Sequence, residues 1–260
     1  MKCMVCNSDS KEIFSAKVLN KYNVKYYHCP NCGFLQTEEP YWLDEAYKSA
    51  IGSADTGIQK RNRIFANRSS VIISSFFDPN KKFLDYAGGY GIFVRMMRDK
   101  GFDFYWDDPY ADNLFAKGFE HNEKNNYDLV TAFECFEHFT NPLEQIEKML
   151  KFSDNIIYST RTFSGDPPAP TEWWYYSLDS GQHISFYSNT TLKYLAEKFK
   201  LHLNTDNKAF HMFSKKRINN IWFKIALKLS DAGMSKIFSW KLKSKTEKDH
   251  EILSEKMKKG

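Results

Sequence analysis

The chain has 260 residues, enough for one large domain or for a medium domain with a small module attached. Apolar residues make up 42% and charged residues 27%, a globular mix that excludes wholesale disorder. No run of about 18 apolar residues is present, so no membrane-spanning helix is expected. Aromatic residues reach 17%, more than a core requires, and point to a ring-lined pocket or surface. The net charge of +5 is uneven: Lys208 to Gly260 holds 14 Lys/Arg against 5 Asp/Glu, which leaves the remainder mildly acidic. A uniformly basic nucleic-acid binder would not be distributed in this way. Met1 to Cys6 is followed by no apolar segment of the signal-peptide kind, so the expected compartment is the cytoplasm, where thiols stay reduced.

Four of the five cysteines open the chain in a pattern. Cys3 and Cys6, then Cys29 and Cys32, form two C-x2-C pairs 22 residues apart. Two such pairs place four thiolates at the tips of two tight turns, a tetrahedral set that suits zinc. About 35 residues give too little core to fold alone, and a metal supplies what is missing. Four protein ligands close the site, so the zinc is expected to be structural. Cys135 stands apart and reads as a buried small residue.

Residues 1–40 form this ribbon, and the acidic and aromatic stretch Glu38 to Trp42 marks its end. A helix is expected from Ile58 to Phe77, with Ile64, Val71, Ile72 and Phe76 on its apolar face and Asp78-Pro79-Asn80 as its stop. Strand and helix signals then alternate. Strands are expected at 83–86, 102–106, 127–133 and 155–160, and helices at 91–100 and 143–151. This alternation predicts an α/β domain with a parallel sheet, spanning residues 41–215. Ser164 to Gly181 is a Pro-, Trp- and Tyr-rich insertion. A helix over 189–199, capped by Ser188 or Asn189, precedes a pair of antiparallel strands within 201–213. Residues 216–260 form a basic amphipathic helical segment.

Asp85-Tyr86-Ala87-Gly88-Gly89-Tyr90-Gly91 lies between a strand and a helix, where glycines permit a tight turn and close approach of a ligand to the backbone. Asp108 falls at the end of the next strand, where a carboxylate can accept the hydroxyls of a ribose. The G-x-G-x-x-G spacing of dinucleotide binders is absent, as is the triphosphate loop G-x-x-x-x-G-K-[ST]. Phe83-Leu84-Asp85-x-x-Gly88-Gly89-x-Gly91, then Asp108-Pro109, then Tyr127 to Val130 running into Glu134-x-x-Glu137-His138, resemble in this order the class I S-adenosylmethionine (SAM) methyltransferases. The resemblance covers roughly Lys60 to Phe213 and departs at Ala87, where that family usually has its first glycine. It implies a Rossmann-like sheet with helices on both faces. It also implies that Asp85, Gly88, Gly89 and Gly91 cradle the methionine part of SAM, that Asp108 holds the ribose, and that Phe133 and Glu134 border the adenine and methionine. Arg61 is a candidate partner for the SAM carboxylate.

A narrower resemblance comes from the four-cysteine module together with Gly181-Gln182-His183-Ile184-Ser185-Phe186. The combination is similar to bacterial methyltransferases of sugar and surface-glycan biosynthesis. Sugar C-methyltransferases among them carry a Glu-His pair in this loop, and Gln182-His183 stands in its place here. His183 is therefore the candidate general base and Gln182 a candidate substrate contact. Methyl transfer is an in-line displacement at an activated carbon, so the enzyme must align the acceptor and remove its proton, a task suited to an imidazole. Trp174 and Tyr176 are candidate rings for a sugar platform. The expected acceptor is a hydroxyl of a nucleotide-activated sugar or a related polysaccharide precursor.

Other readings use the same residues. Glu134, Glu137 and His138 at a strand end, with His183, could hold a catalytic metal that activates the hydroxyl. Some small-RNA methyltransferases have a similar E-x-x-E-H set for Mg2+. Sugar C-methylation, RNA methylation and a non-catalytic SAM-binding scaffold are further alternatives. Against RNA, the ribbon is not strongly basic and is followed by Glu38-Glu39 and Asp44-Glu45, so no specific nucleic-acid partner is expected. In the C-terminal segment, Ile218, Ile221, Trp222, Ile225, Ala226 and Leu229 recur at helical spacing among basic residues. Such a face packs on the domain or on a second subunit, or lies on an anionic membrane surface.

Overall fold

The structure is a computed structural model that describes residues 1–48 and 55–259. In chain order its strands are β1 (Lys11–Val18), β2 (Tyr22–His28), β3 (Leu35–Thr37), β4 (Lys82–Tyr86), β5 (Asp103–Asp107), β6 (Leu129–Ala132), β7 (Asn155–Ser159), β8 (Thr162–Phe163), β9 (Ser185–Ser188), β10 (His202–Thr205) and β11 (Phe210–Ser214). Its helices are α1 (Leu43–Ala46), α2 (Ile58–Phe76), α3 (Ile92–Asp99), α4 (Pro142–Leu150), α5 (Asn189–Lys198), α6 (Asn220–Asp231), α7 (Ser235–Phe238) and α8 (Thr246–Lys259). The chain divides into two compact units, one of residues 1–55, 134–151 and 158–217, the other of residues 56–133, 152–157 and 218–260. The larger sheet runs β10-β11-β7-β6-β4-β5 and β7 contributes residues to both units. The architecture is the expected mixed α/β one, with parallel strands flanked by helices.

The first unit is built on a sheet of order β1-β2-β3-β9-β8. Leu19 and Asn20 take left-handed backbone, which turns β1 back antiparallel onto β2. Alternate residues Ala16 and Val18 of β1 and Val24 and Tyr26 of β2 are buried. They join a ring-rich core with Trp42, Tyr175, Tyr176 and Phe186. Strand β3 pairs antiparallel with β9, Leu35 opposite Phe186, so the end of the cysteine module is hydrogen-bonded to the segment that follows His183. Trp42 Nε1 donates to the Gly181 carbonyl at 2.8 Å. A Cβ on Gly181 would lie 2.8 Å from Val18 Cγ1, and its φ is +67°, so only glycine suits this approach. Helix α5 opens with a capping box: the Ser188 hydroxyl accepts from the Thr191 amide while the Thr191 hydroxyl accepts from the Ser188 amide.

In the second unit β4 is flanked by β5 and β6, both parallel to it. Every residue of β6 is buried, as a parallel strand covered on both faces requires. Beyond β5 a single bridge, Trp106 to Glu120, extends the edge. Helices α2 and α3 come from the segments expected to be helical. The C-terminal helices are fixed by ions that the sequence did not announce. Arg68 on α2 forms a bidentate pair with Asp231 on α6. Arg98 on α3 and Asp249 on α8 are both buried and joined by two bonds of 2.7 Å, and Arg98 also donates to Asp103 and to the Phe104 carbonyl. Removing Asp249 leaves the buried Arg98 guanidinium with Asp103 as its carboxylate partner and strips two of its hydrogen bonds. Asp249→Ala is therefore expected to cost about 3 kcal/mol, read as a lowered midpoint in denaturant titration.

Candidate active site and metal centre

The turn after β4 is pinned at every step. The Gly88 amide donates to the Asp107 carbonyl at 3.2 Å, and the Gly89 amide to Asp108 Oδ2 at 2.9 Å. Trp106 Nε1 donates to the Gly89 carbonyl at 2.7 Å. Gly91, with φ +82°, is the left-handed N-cap of α3. Ala87, at the position where a glycine was expected, also adopts a positive φ of 55°, a backbone state that costs a side-chain-bearing residue roughly 1–2 kcal/mol. A Cβ on Gly88 would lie 2.9 Å from Asp85 Oδ2 and from the Trp106 ring, whereas one on Gly89 would meet nothing within 4 Å. The turn is thus packed from behind at Gly88 and open at Gly89.

Asp85 sits buried at the end of this strand and accepts from the Thr131 hydroxyl at 2.7 Å. Burial pushes its carboxyl up to about 8. Asp108 is committed to the turn: Oδ1 accepts from the amides of Tyr110 and Ala111, and Oδ2 from that of Gly89. The remaining lone pair on Oδ2 is what this carboxylate has to offer a ribose. Phe133 stacks on Phe65 of α2 with ring centroids 4.4 Å apart and meets Phe93 of α3 edge-on. Arg61 is half-buried in the first turn of α2. Asp85, Gly88, Gly89, Gly91, Asp108, Phe133 and Arg61 all belong to the second unit.

The remaining candidates lie in the first unit. Glu134, with φ +52°, accepts from the Ser159 hydroxyl through Oε1 at 2.7 Å, and its amide donates back to that hydroxyl. Glu137, His138 and His183 converge, each with one ligand atom within 4.8 Å of the others; Glu134 is not in this group. Glu137 is 1% exposed, and neither carboxylate oxygen has a hydrogen-bond partner among the described residues. His183 has a fixed tautomer: its Nδ1 lies 2.7 Å from the Tyr175 carbonyl, which can only accept, so Nδ1 carries the proton and Nε2 keeps its lone pair. His138 Nδ1 lies 3.1 Å from the Gln182 carbonyl and 3.0 Å from the Tyr47 hydroxyl, which can donate or accept. Burial, with the neighbouring His183, pushes the His138 pKa down to about 3, so this ring is neutral.

Gln182 donates from Nε2 to the Ala46 carbonyl at 2.9 Å. Trp174 is 71% exposed, and the Arg161 guanidinium lies 5.3 Å over its ring. Tyr176, expected beside it as a second platform ring, lies instead in the core, packed edge-on to Phe14 and Tyr26, with its hydroxyl donating to the Pro168 carbonyl. The chain needs that ring to close the N-terminal sheet. Arg161 was missed from the sequence, where nothing distinguished it from a surface arginine.

The four N-terminal cysteines meet as their spacing suggested. Sγ of Cys3 and Cys32 are 3.5 Å apart and those of Cys6 and Cys29 are 3.4 Å apart, and the four sulfurs lie within 4.8 Å of one another. No disulfide joins them. Four sulfurs at about 2.3 Å from one zinc would be roughly 3.8 Å apart, so the donor set fits that ion. The Cys3 and Cys32 thiols bond to each other, which pulls the Cys3 pKa down and pushes that of Cys32 up, while burial pushes Cys29 up. Cys135 is buried, as expected.

A family model described as a methyltransferase domain matches residues 59–204. No curated protein sequence matches the chain. Among solved structures the chain is similar to that of TnmH, with 13% identity, a TM-score of 0.47, and coverage of 67% of this chain and 61% of that one. It is also similar to an O-methyltransferase family protein from Burkholderia thailandensis, with 14% identity, a TM-score of 0.44 and 68% coverage of each chain. A third is the plantazolicin methyltransferase BpumL in complex with SAH, with 10% identity, a TM-score of 0.44, and coverage of 68% of this chain and 95% of that one.

Proposed function

This chain belongs to the methyltransferase-domain family, a family of SAM-dependent enzymes, and we propose that it transfers a methyl group to a hydroxyl of a nucleotide-activated sugar or a related surface-glycan precursor. SAM supplies a methyl group already activated by its sulfonium. The chain has to hold the cofactor, present the hydroxyl and take its proton. Asp85, Gly88, Gly89, Gly91 and Asp108 would hold the amino-acid and ribose parts, with Phe133 and Arg61 as further candidates in the same unit. The open space over Gly89 supports this assignment, because a ligand can lie against the backbone there. Gly89→Val is accordingly expected to lower stability by only about 1–2 kcal/mol, the cost of its positive φ. It should weaken SAM binding at least tenfold in calorimetry; undiminished affinity would place the cofactor elsewhere.

The observation that carries the acceptor class is Trp174 with Arg161 above it. An exposed indole offers a face to a sugar ring, and a guanidinium beside it offers a fork to phosphate oxygens. His183 is the group assigned to remove the hydroxyl proton, as a general base acting through Nε2, the nitrogen its Tyr175 contact leaves with a lone pair. A structural zinc on Cys3, Cys6, Cys29 and Cys32 completes the account. Incubating the zinc-loaded protein with SAM and a panel of nucleotide sugars, and reading each by mass spectrometry, tests the acceptor. Gain of one methyl on a nucleotide sugar is the expected result. Methylation confined to acceptors without a sugar hydroxyl would overturn the assignment.

One observation favours a second reading of the same cluster. The buried Glu137 carboxylate has no hydrogen-bond partner among the described residues, and two imidazoles converge with it. An ionised carboxylate so placed is costly unless a cation meets it. Glu137, His138 and His183 would then hold a divalent metal, which would supply Lewis-acid activation of the acceptor hydroxyl, with His183 a ligand and not the base. Under this reading Glu137→Gln and His138→Ala lose metal and turnover together with His183→Ala. Under the general-base reading His183→Ala alone has the large effect.

A further inference from the structure

Helix α6 is apolar over most of its circumference, with Asn220, Lys224, Lys228 and Asp231 along one narrow side. Phe223, Ala226 and Leu227 are buried, while Ile221, Trp222 and Ile225 are exposed, Trp222 at 62%. At 100° per residue, Ile221 and Ile225 lie about 40° apart on the side away from Phe223 and Leu227. An apolar arc wider than one packing face is normally covered by something else, and here its second half faces outward beside the lysines. The feature continues past Gly233, where Ile237 of α7 is 59% exposed and Trp240 is 73% exposed. The α6 and α7 segments are tied to the same helix, Asp231 to Arg68 and Ser235 to Asn67 of α2.

The charge around these side chains identifies what covers them. From Ile218 to Lys245 there are six lysines and one acid, Asp231, and that carboxylate is already held by Arg68. Lys228, Lys236, Lys241 and Lys243 are exposed among the apolar residues. A second copy of the chain would bring lysines against lysines. An anionic bilayer surface matches both features: lysines meet lipid phosphates, and tryptophan rings sit at headgroup depth. No helix among the described residues is long and apolar enough to cross a membrane, so the contact is one of lying on the surface. We propose that the outer side of α6 and the 233–243 segment dock this protein on an anionic lipid bilayer through Trp222, Trp240 and their neighbouring isoleucines and lysines. The proposal goes beyond the catalytic reading and does not depend on which acceptor is methylated.

Co-sedimentation with vesicles tests it. The full-length protein is expected to bind phosphatidylglycerol/phosphatidylcholine vesicles, to bind phosphatidylcholine alone weakly, and to be partly released by salt. The double variant Trp222→Glu/Trp240→Glu should lose at least tenfold in vesicle partitioning while keeping its circular dichroism and its SAM affinity. Wild-type protein that stays in the supernatant, or a folded double variant that sediments equally well, would overturn the proposal. So would a wild-type dimer in sedimentation velocity that the double variant abolishes, because the patch would then be a subunit contact.

Discussion

Cys29→Ser is expected to release the metal and unfold the N-terminal sheet. Structural zinc contributes on the order of 10 kcal/mol or more to small modules, as large as the whole stability of an ordinary domain. The module has little else to hold its tip. Its turns are closed by a few backbone bonds, Asn7 to Cys3 and Gly33 to Cys29, and its sulfurs sit 3.4–3.5 Å apart with no covalent link. The consequence reaches the loop that carries His183, because Leu35 and Gln36 pair with Phe186 and Ser185 just after it. Loss of the zinc turn frees β3, and β9 loses its neighbour. The measurement is metal content by mass spectrometry beside a thermal melt and turnover. Expected are zinc-free variant protein, a melting point lowered by more than about 10 °C, and negligible turnover. A zinc-free variant that melts and turns over like the parent would remove the metal from the account.

His183→Ala carries the second large effect, a fall in turnover of roughly 100-fold or more with SAM affinity nearly unchanged. The histidine is not a helix cap; Ser188 fills that role for α5. Its Nδ1 is anchored on the Tyr175 carbonyl, its ring packs against Tyr175 and His138, and Nε2 remains for chemistry. Nothing in this arrangement is needed to keep the Gly88-Gly89 turn, whose hydrogen bonds close among Gly88, Gly89, Trp106, Asp107 and Asp108. The split between turnover and SAM affinity therefore separates a role in proton removal from general damage. If turnover survives, the base is elsewhere. The companion variant His138→Ala decides between base and metal ligand, since only the metal reading predicts that it is as inactive as His183→Ala.

Much of the fold was legible because it is local. The strand-turn-helix run from Phe83 to Arg98 carries its own apolar pattern and its own glycines, and the C-x2-C pairs constrain where four sulfurs meet. What the sequence concealed lies in contacts between distant segments. Nothing near Leu35 indicates that it pairs with Phe186, and nothing near Arg98 points to Asp249, 151 residues away. The pairing of β3 with β9 is also why Tyr176 became core: the sheet needed a ring over Phe14 and Tyr26, and the aromatic run beginning at Trp173 supplied it. Periodicity in α6 revealed an apolar stripe but not that the core would take Ala226 from it together with Phe223 and Leu227, leaving Ile221 and Trp222 outside. Likewise E-x-x-E-H placed two glutamates near one histidine, with His183 added from a later loop, while the left-handed backbone at Glu134 turns its carboxylate to Ser159 and leaves Glu137 with the imidazoles.

Calorimetric titration of the purified protein with SAM and with S-adenosylhomocysteine, with metal content read on the same sample, tests whether the Gly88-Gly89 turn of a zinc-stabilised enzyme holds the cofactor. Micromolar binding of both at one site per chain, with one zinc per chain, is the expected result. Folded, zinc-loaded protein that gives no binding heat with either ligand and shows no competition for it would overturn that assignment.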